Sequence, residues 1–399
     1  MSSHASHLDW PFFEDGHRAL ATSIVAWLAT QPPNGADATT FATAADAPSR
    51  EWVRRLGDGG WLRYCVPAAW GGALESVESR SLCVLREALA SHDALADFAF
   101  AMQGLGSGAI TLGGSDALRA RWLPRVARGD TIAAFALSEP DAGSDAAALR
   151  TTATRVPEGW RIDGTKTWIS NGGIADFYCV FARTSAQAAA AKGITAFLVP
   201  APTAGLAISE RIPVMAPHPL ATLTFDGCTV PDENRLGNVD EGFGLAMKTL
   251  DIFRVSVAAA ATGFARRALL EALGYATGRA MFGATLGAQP LAQGILGDMA
   301  TDVDAAALLT YRAAWHRDTQ PGRMTGIAAM AKLAATELAQ QVIDRALQLH
   351  GARGVRVGEV VERLYRDIRA LRIYEGASEV QRLLVGREAL KTHQATHAS

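Results

Sequence analysis

A chain of 399 residues, 49% apolar and 20% charged, is long enough for two or three domains with a sizeable core, and its composition is that of a globular protein. A formal net charge of -2 gives no electrostatic footprint for nucleic acid or an anionic membrane surface. The Ala-rich run 255–264 is flanked by Arg254, Arg266 and Arg267 and so does not read as a membrane span, and residues 1–15 lack the basic-then-apolar pattern of a secretory signal. Cys65, Cys83, Cys179 and Cys228 are scattered without CxxC spacing, which predicts reduced, mostly buried thiols and a cytoplasmic setting.

From residue 16 to about 129 the periodicity is helical. Ala19, Ile24, Val25 and Leu28 recur at helical spacing, as do Leu82, Leu85 and Leu89, then Ala101 and Leu105. Breaks come at Pro32-Pro33-Asn34-Gly35 and over 67–72. Gly104-Leu105-Gly106-Ser107-Gly108 follows no strand, so it predicts close helix packing and not a dinucleotide loop. From 131 to about 231 the signals are of strand type. Residues 151–156 alternate, 160–168 follow the turn Pro157-Glu158-Gly159, and short segments follow at 177–182, 194–199, 206–212 and 223–225. They predict a small antiparallel sheet. Beyond 242 the predicted helices are long: 243–277, one from Pro290 to before Pro321-Gly322, 326–350, and a shorter one after Gly376. The polar tail from Lys391 predicts fraying. The expected fold is mainly α with a central β domain: an N-terminal helical domain (1–130), a middle β domain (131–235) and a C-terminal four-helix-bundle domain (236–399).

Glu375 is the strongest single candidate for chemistry. A carboxylate followed at once by Gly, in an apolar neighbourhood before a helical run, can be desolvated and still be reached by a ligand. That suits a general base with a raised pKa. The plainer alternative is a helix N-terminal carboxylate favoured by the dipole. Asp251 and Arg254, spaced i, i+3 among Leu250, Ile252, Phe253 and Val255, predict a buried pair; a surface pair is the alternative.

In order along the chain, Ala136-Leu137-Ser138-Glu139-Pro140-Asp141-Ala142-Gly143-Ser144-Asp145, Lys166-Thr167-Trp168-Ile169-Ser170-Asn171-Gly172, Arg279-Ala280-Met281-Phe282-Gly283, the run 348–367 and Tyr374-Glu375-Gly376 resemble the motifs of the acyl-CoA dehydrogenase family. The resemblance covers almost the whole chain. It implies FAD as hydride acceptor, since no protein side chain accepts hydride. It implies that Phe135, Leu137 and Ser138 lie along the isoalloxazine edge with Gly143 and Ser144 beside them, and that Trp168, Ile169 and Ser170 cover the flavin. Ala377 and Glu379 belong to the same cofactor set. Ser144, Asp251, Arg254 and Gly376 would meet the acyl-CoA. Arg279, Phe282, Gln348, Gly351 and Ala352 would reach the FAD of a neighbouring subunit, which makes the active unit at least a dimer; the resemblance implies a homotetramer, a dimer of dimers. Glu375 would remove the α-proton and its backbone N–H would bond the thioester carbonyl. Electrons would pass to an electron-transferring flavoprotein.

Some relatives carry the base on the first bundle helix, at the position of Phe253, which cannot take a proton; this favours Glu375. Other positions depart from the family pattern. Ala352 replaces a Gly or Ser, Pro290 a Gln, and Ala377 a Thr; Ala216 and His218 replace an Arg and a Ser near the CoA arm. His218 is expected to be a solvated loop residue or to serve a different acyl carrier. Phe98, Met102, Gln103 and Leu105 are expected around the acyl cavity. The competing functions are a flavin oxidase or monooxygenase on this scaffold, and a non-catalytic nucleic-acid-binding relative.

Overall fold

The structure is a computed structural model and describes residues 6–33, 43–185, 191–320, 322 and 324–397; the expected breaks at Asn34, Gly35 and Pro321 lie outside them. Its elements run α1 (Asp15–Leu28), α2 (Asp46–Asp58), α3 (Ser79–His92), α4 (Ala94–Gly113), α5 (Asp116–Arg128), β1 (Ala133–Ala136), β2 (Thr152–Val156), β3 (Gly159–Ser170), β4 (Phe177–Arg183), β5 (Ile194–Pro200), β6 (Leu206–Arg211), β7 (Leu220–Val230) and β8 (Arg235–Leu236). Then come α6 (Gly242–Gly278), the hairpin β9 (Ala280–Met281) and β10 (Ala284–Thr285), α7 (Pro290–Thr319), α8 (Thr325–His350), α9 (Val360–Leu371) and α10 (Ser378–His397). The helical, sheet, helical order agrees with the expected fold class. Pro290 opens α7 as its missing N–H permits. Contacts divide the chain into two units: Met1–Ala38, Ser79–Asp97 and Arg254–Ser399, and Thr39–Glu78 with Phe98–Phe253.

The second unit holds the eight-stranded sheet, ordered β6-β7-β3-β2-β4-β5-β8 with β1 added to β4. Most pairs are antiparallel, but β1 and β2 pair with β4 in parallel. The β4 strand is buried along nearly its whole length, which explains its unbroken apolar run. One part of its cover is α5, whose Trp122 packs on Phe177 at 4.8 Å between ring centroids. Burying side chains of this size stabilises by about 1.5–3 kcal/mol each. The α4 glycines are packing residues, as expected. A Cβ on Gly104 would stand 2.4 Å from the Phe253 ring, and one on Gly106 would stand 2.6 Å from Ala133. Gln103 is not a cavity wall. It is fully buried, donating to Thr131 O at 2.7 Å and accepting from Ala133 N at 2.9 Å, so it anchors the start of β1.

In the first unit α1 packs on α3, α3 on α7, α7 on α8, and α8 on α9 and α10. Gly263 lets α6 approach α3: a Cβ there would lie 2.3 Å from Glu87 O. Glu87 accepts from Arg266 and from the Tyr311 hydroxyl, both at 2.6 Å, tying α3, α6 and α7 together. Helix α9 falls outside the expected helices, although Val361, Leu364, Ile368 and Leu371 bury one face of it. The tail expected to fray continues α10 through His397. All four cysteines are buried thiols.

Candidate active site

Glu375 lies in the link between α9 and α10, outside either helix, so a helix N-terminal role does not describe it. Its φ is 52°, a left-handed value that a side chain with a Cβ adopts at a cost. Gly376 follows at φ 95°, where a Cβ would stand 2.3 Å from Gln381 Nε2. The surrounding structure over-determines this link. Lys332 Nζ donates to Tyr374 O at 2.9 Å and to Gly376 O at 2.6 Å. Gln381 Nε2 donates to Glu375 O at 3.2 Å and Gly376 O at 2.9 Å, and Arg254 Nε to Glu375 O at 3.3 Å. Arg372 forks onto Glu337 with both bonds at 2.9 Å.

The carboxyl itself is set apart from these bonds. Glu375 Oε2 is shielded from solvent and has no hydrogen-bond partner among the described residues. Burial pushes the carboxyl above its usual range, while Arg86, Lys332 and Arg254 pull it the other way. Arg86, itself buried, forks onto Asp97 with two 2.8 Å bonds and donates to Ser256 at 3.0 Å. A base for a carbon acid needs a carboxylate oxygen that no N–H already occupies. Buried unsatisfied oxygens are rare, and this one fits that need.

A cleft of about 1430 Å³ in the same unit gathers Arg279, Gln348, Gly351 and Ala352 along with Arg353, Tyr275 and His350. Gly351 has φ 58° and ψ -139°, a conformation essentially confined to glycine, and open space where a Cβ would be. Its backbone can therefore approach a phosphate closely. Phe282, on the β9–β10 turn, is 90% exposed and does not line this cleft.

In the sheet unit, Phe135 lies half-buried in β1, Leu137 is buried, Ser138 is half-buried, and Gly143 and Ser144 are exposed on the following turn. Ser138 O accepts from Thr167 N at 3.0 Å, which sets this turn beside β3. There β3 is irregular: its register against β7 shifts between Lys166 and Ile169. Trp168, within that shift, has φ 59° and is 59% exposed, while Ile169 is buried and Ser170 half-buried. Trp168 is therefore not a core residue. The bulge turns its indole outward, where it presents an apolar plate to a planar ligand. Underneath, Lys166 Nζ bonds Leu137 O at 2.9 Å and Glu139 Oε1 at 2.8 Å, fixing the turn. The outward indole is a feature that the flat ring system of a cofactor such as FAD fits; the glycine cradle at Gly351, in the other unit, is taken by itself one that a phosphate group fits.

His218 is not a solvated loop residue. Its ring packs on Phe98 at 4.5 Å, its Nδ1 lies 2.8 Å from Ala216 O, and burial pushes its pKa down, so it is uncharged at neutral pH. Of the substrate candidates, Arg254 is buried and Asp251 half-buried. Three residues of the base segment's setting, Lys332, Gln381 and Arg86, were not expected from motifs. A lysine inside the apolar run Ala331-Lys332-Leu333-Ala334 was the one available signal.

Family models of the acyl-CoA dehydrogenase N-terminal, middle and C-terminal domains match residues 14–130, 134–228 and 240–390. The chain belongs to the acyl-CoA dehydrogenase family. Membership makes it an FAD-dependent oxidoreductase of acyl-CoA thioesters. It is 37% identical over 346 residues to the short-chain specific acyl-CoA dehydrogenase of Sus scrofa mitochondria, covering 86% of this chain and 83% of that one. The butyryl-CoA dehydrogenase of Megasphaera elsdenii superposes with a TM-score of 0.86 at 30% identity, over 95% of this chain and 99% of that one. A Mycobacterium smegmatis glutaryl-CoA dehydrogenase solved with FADH2 superposes at 0.84 with 25% identity, over 95% of each chain. No helix among the described residues is long and apolar enough to cross a membrane.

Proposed function

We propose that this acyl-CoA dehydrogenase removes the α-proton of an acyl-CoA through Glu375 and yields the trans-2-enoyl thioester. The observation that carries this reading is the buried, unpartnered Oε2 of Glu375. FAD, when bound, supplies at its N5 the acceptor for the β-hydride. Phe135, Leu137, Ser138, Gly143, Trp168, Ile169, Ser170, Ala377 and Glu379 hold it, and Arg279, Phe282, Gln348, Gly351 and Ala352 hold the cofactor of a neighbouring protomer. Ser144, Asp251, Arg254 and Gly376 orient the thioester. The Glu375 backbone N–H donates to the thioester carbonyl, where negative charge develops as the proton leaves. Burial of the carboxyl raises its basicity toward that of the activated α-carbon, against the pull of the nearby cations.

The functional segments are 1–130, 131–235 and 236–399. Electron-transferring flavoprotein takes the electrons, and the active unit is a homotetramer. Phe282 and Leu291, 90% and 79% exposed, support association through the faces that carry them. Butyryl-CoA is the first substrate to test, because two of the similar proteins are named for short or butyryl acyl groups. Anaerobic bleaching of the bound flavin by a panel of acyl-CoAs tests the reaction. Bleaching by at least one straight-chain acyl-CoA is expected, with a reduced flavin that persists until an electron-transferring flavoprotein is added. Rapid reoxidation by oxygen with substrate bound supports the oxidase instead.

A further inference from the structure

We propose that Lys332 is the positioning residue of the base, gripping the carbonyls of the residues on both sides of Glu375 and keeping a positive charge beside its carboxylate. The inference rests on the reading of Glu375 as the base. One nitrogen bonds the carbonyls of Tyr374 and Gly376 at 2.9 and 2.6 Å, so it fixes the peptide plane entering Glu375 and the one leaving Gly376, while the plane between them is held through Glu375 O by Gln381 and Arg254. The nitrogen is carried by α8, a 26-residue helix packed against α7, α9 and α10, so the grip is referred to a rigid element.

A purely structural role accounts poorly for this residue. Lys332 is fully buried, and a buried ammonium is costly; a methionine would fill the same volume without a charge. Gln381 already donates to Gly376 O, so that carbonyl has a second partner. What a neutral residue cannot supply is the charge near Glu375. Burial pulls Lys332 down to about 8, so its ammonium persists through the acidic and neutral range. The charged and titratable groups facing Glu375 are Arg86 from α3, Asp97 from α4, Arg254 from α6 and Lys332 itself. Those facing Lys332 are Glu375, Arg254, Glu337 and Glu379. Arg86 also hydrogen-bonds the Tyr374 hydroxyl, which burial pushes up. Loss of the Lys332 charge removes one of three cations that favour the ionised base, so the base then needs a higher pH to ionise.

Two substitutions separate grip from charge. Lys332→Met removes both, and Lys332→Gln keeps an N–H donor without charge. In FAD-loaded enzyme, anaerobic flavin reduction by butyryl-CoA is followed below pH ~8, and the Glu375 carboxyl is titrated by infrared difference against Glu375→Gln. Lys332→Met is expected to slow reduction by ~100-fold, the scale of an ångström of misplacement. Lys332→Gln is expected to recover at least about tenfold of that loss. Both move the acidic limb and the infrared titration to higher pH, with FAD content and unfolding like the parent's. The proposal is overturned if Lys332→Met keeps the parent rate and limb, or if both variants slow equally with the infrared titration unmoved. If Glu375→Gln still reduces the flavin, the base reading fails; the infrared titration, which needs no turnover, still decides whether Lys332 sets that carboxyl's charge.

Discussion

Lys166 and Glu139 form a buried ion pair, Nζ to Oε1 at 2.8 Å, with the lysine fully inaccessible. Glu139 also accepts from Arg150 N at 2.6 Å and Thr151 N at 2.9 Å. Burial works to raise the Glu139 pKa, but Lys166 and these donors outweigh it and hold the carboxyl below its usual range. A depressed folded-state pKa gives stability that is complete above the unfolded value of about 4.5 and is lost as pH falls through the folded value. Glu139→Gln is therefore expected to destabilise by about 3–5 kcal/mol at neutral pH, since it strands the Lys166 charge. It should also flatten the acid limb. Denaturant midpoints measured from neutral pH down to acid check both; an unchanged neutral midpoint contradicts the pair's role.

Gly104 and Gly106 answer substitution differently. A methyl on Gly104 meets the edge of the Phe253 ring, which can turn, whereas one on Gly106 meets the β1 backbone, 2.8 Å from Ala133 C and Ala134 N. Both alanine variants are overpacked, at a typical cost of about 1–3 kcal/mol, and Gly106→Ala is expected to be the worse. Melting temperatures of the two variants rank them; the reverse order removes the distinction.

The legible parts of this protein were those encoded locally. Long apolar periodicity placed α6, α7 and α8, and alternation with turn residues placed β2 and β3. The glycines of α4 read correctly as packing because no strand precedes them. Parallel pairing of β1 with β4 joins residues more than 40 positions apart and has no local signature. Helix α9 was hidden inside a segment read as a motif. In the site, Glu375 stood out by its neighbours, but its support did not. Lys332 and Arg86 act on the link across distant chain positions, and beyond the place of Lys332 in an apolar run nothing in their own neighbourhoods points there. Trp168 faces outward because of a register shift that alternation cannot reveal.

Trp168 separates cofactor binding from folding. Its indole is mostly exposed and its φ is strained, so Trp168→Gly is expected to leave the apoprotein as stable or up to about 1 kcal/mol more stable. FAD affinity should fall by about tenfold, the scale of one lost ring contact. Apoprotein melting and a flavin titration check this. An apoprotein that melts well below the parent's would instead give Trp168 a role in the core.

The most direct test is Glu375→Gln, which keeps the shape of the side chain and removes its basicity. The variant is expected to bind FAD like the parent and to show no flavin bleaching on the parent's timescale when mixed anaerobically with butyryl-CoA. Bleaching at the parent rate would contradict the assignment of the base.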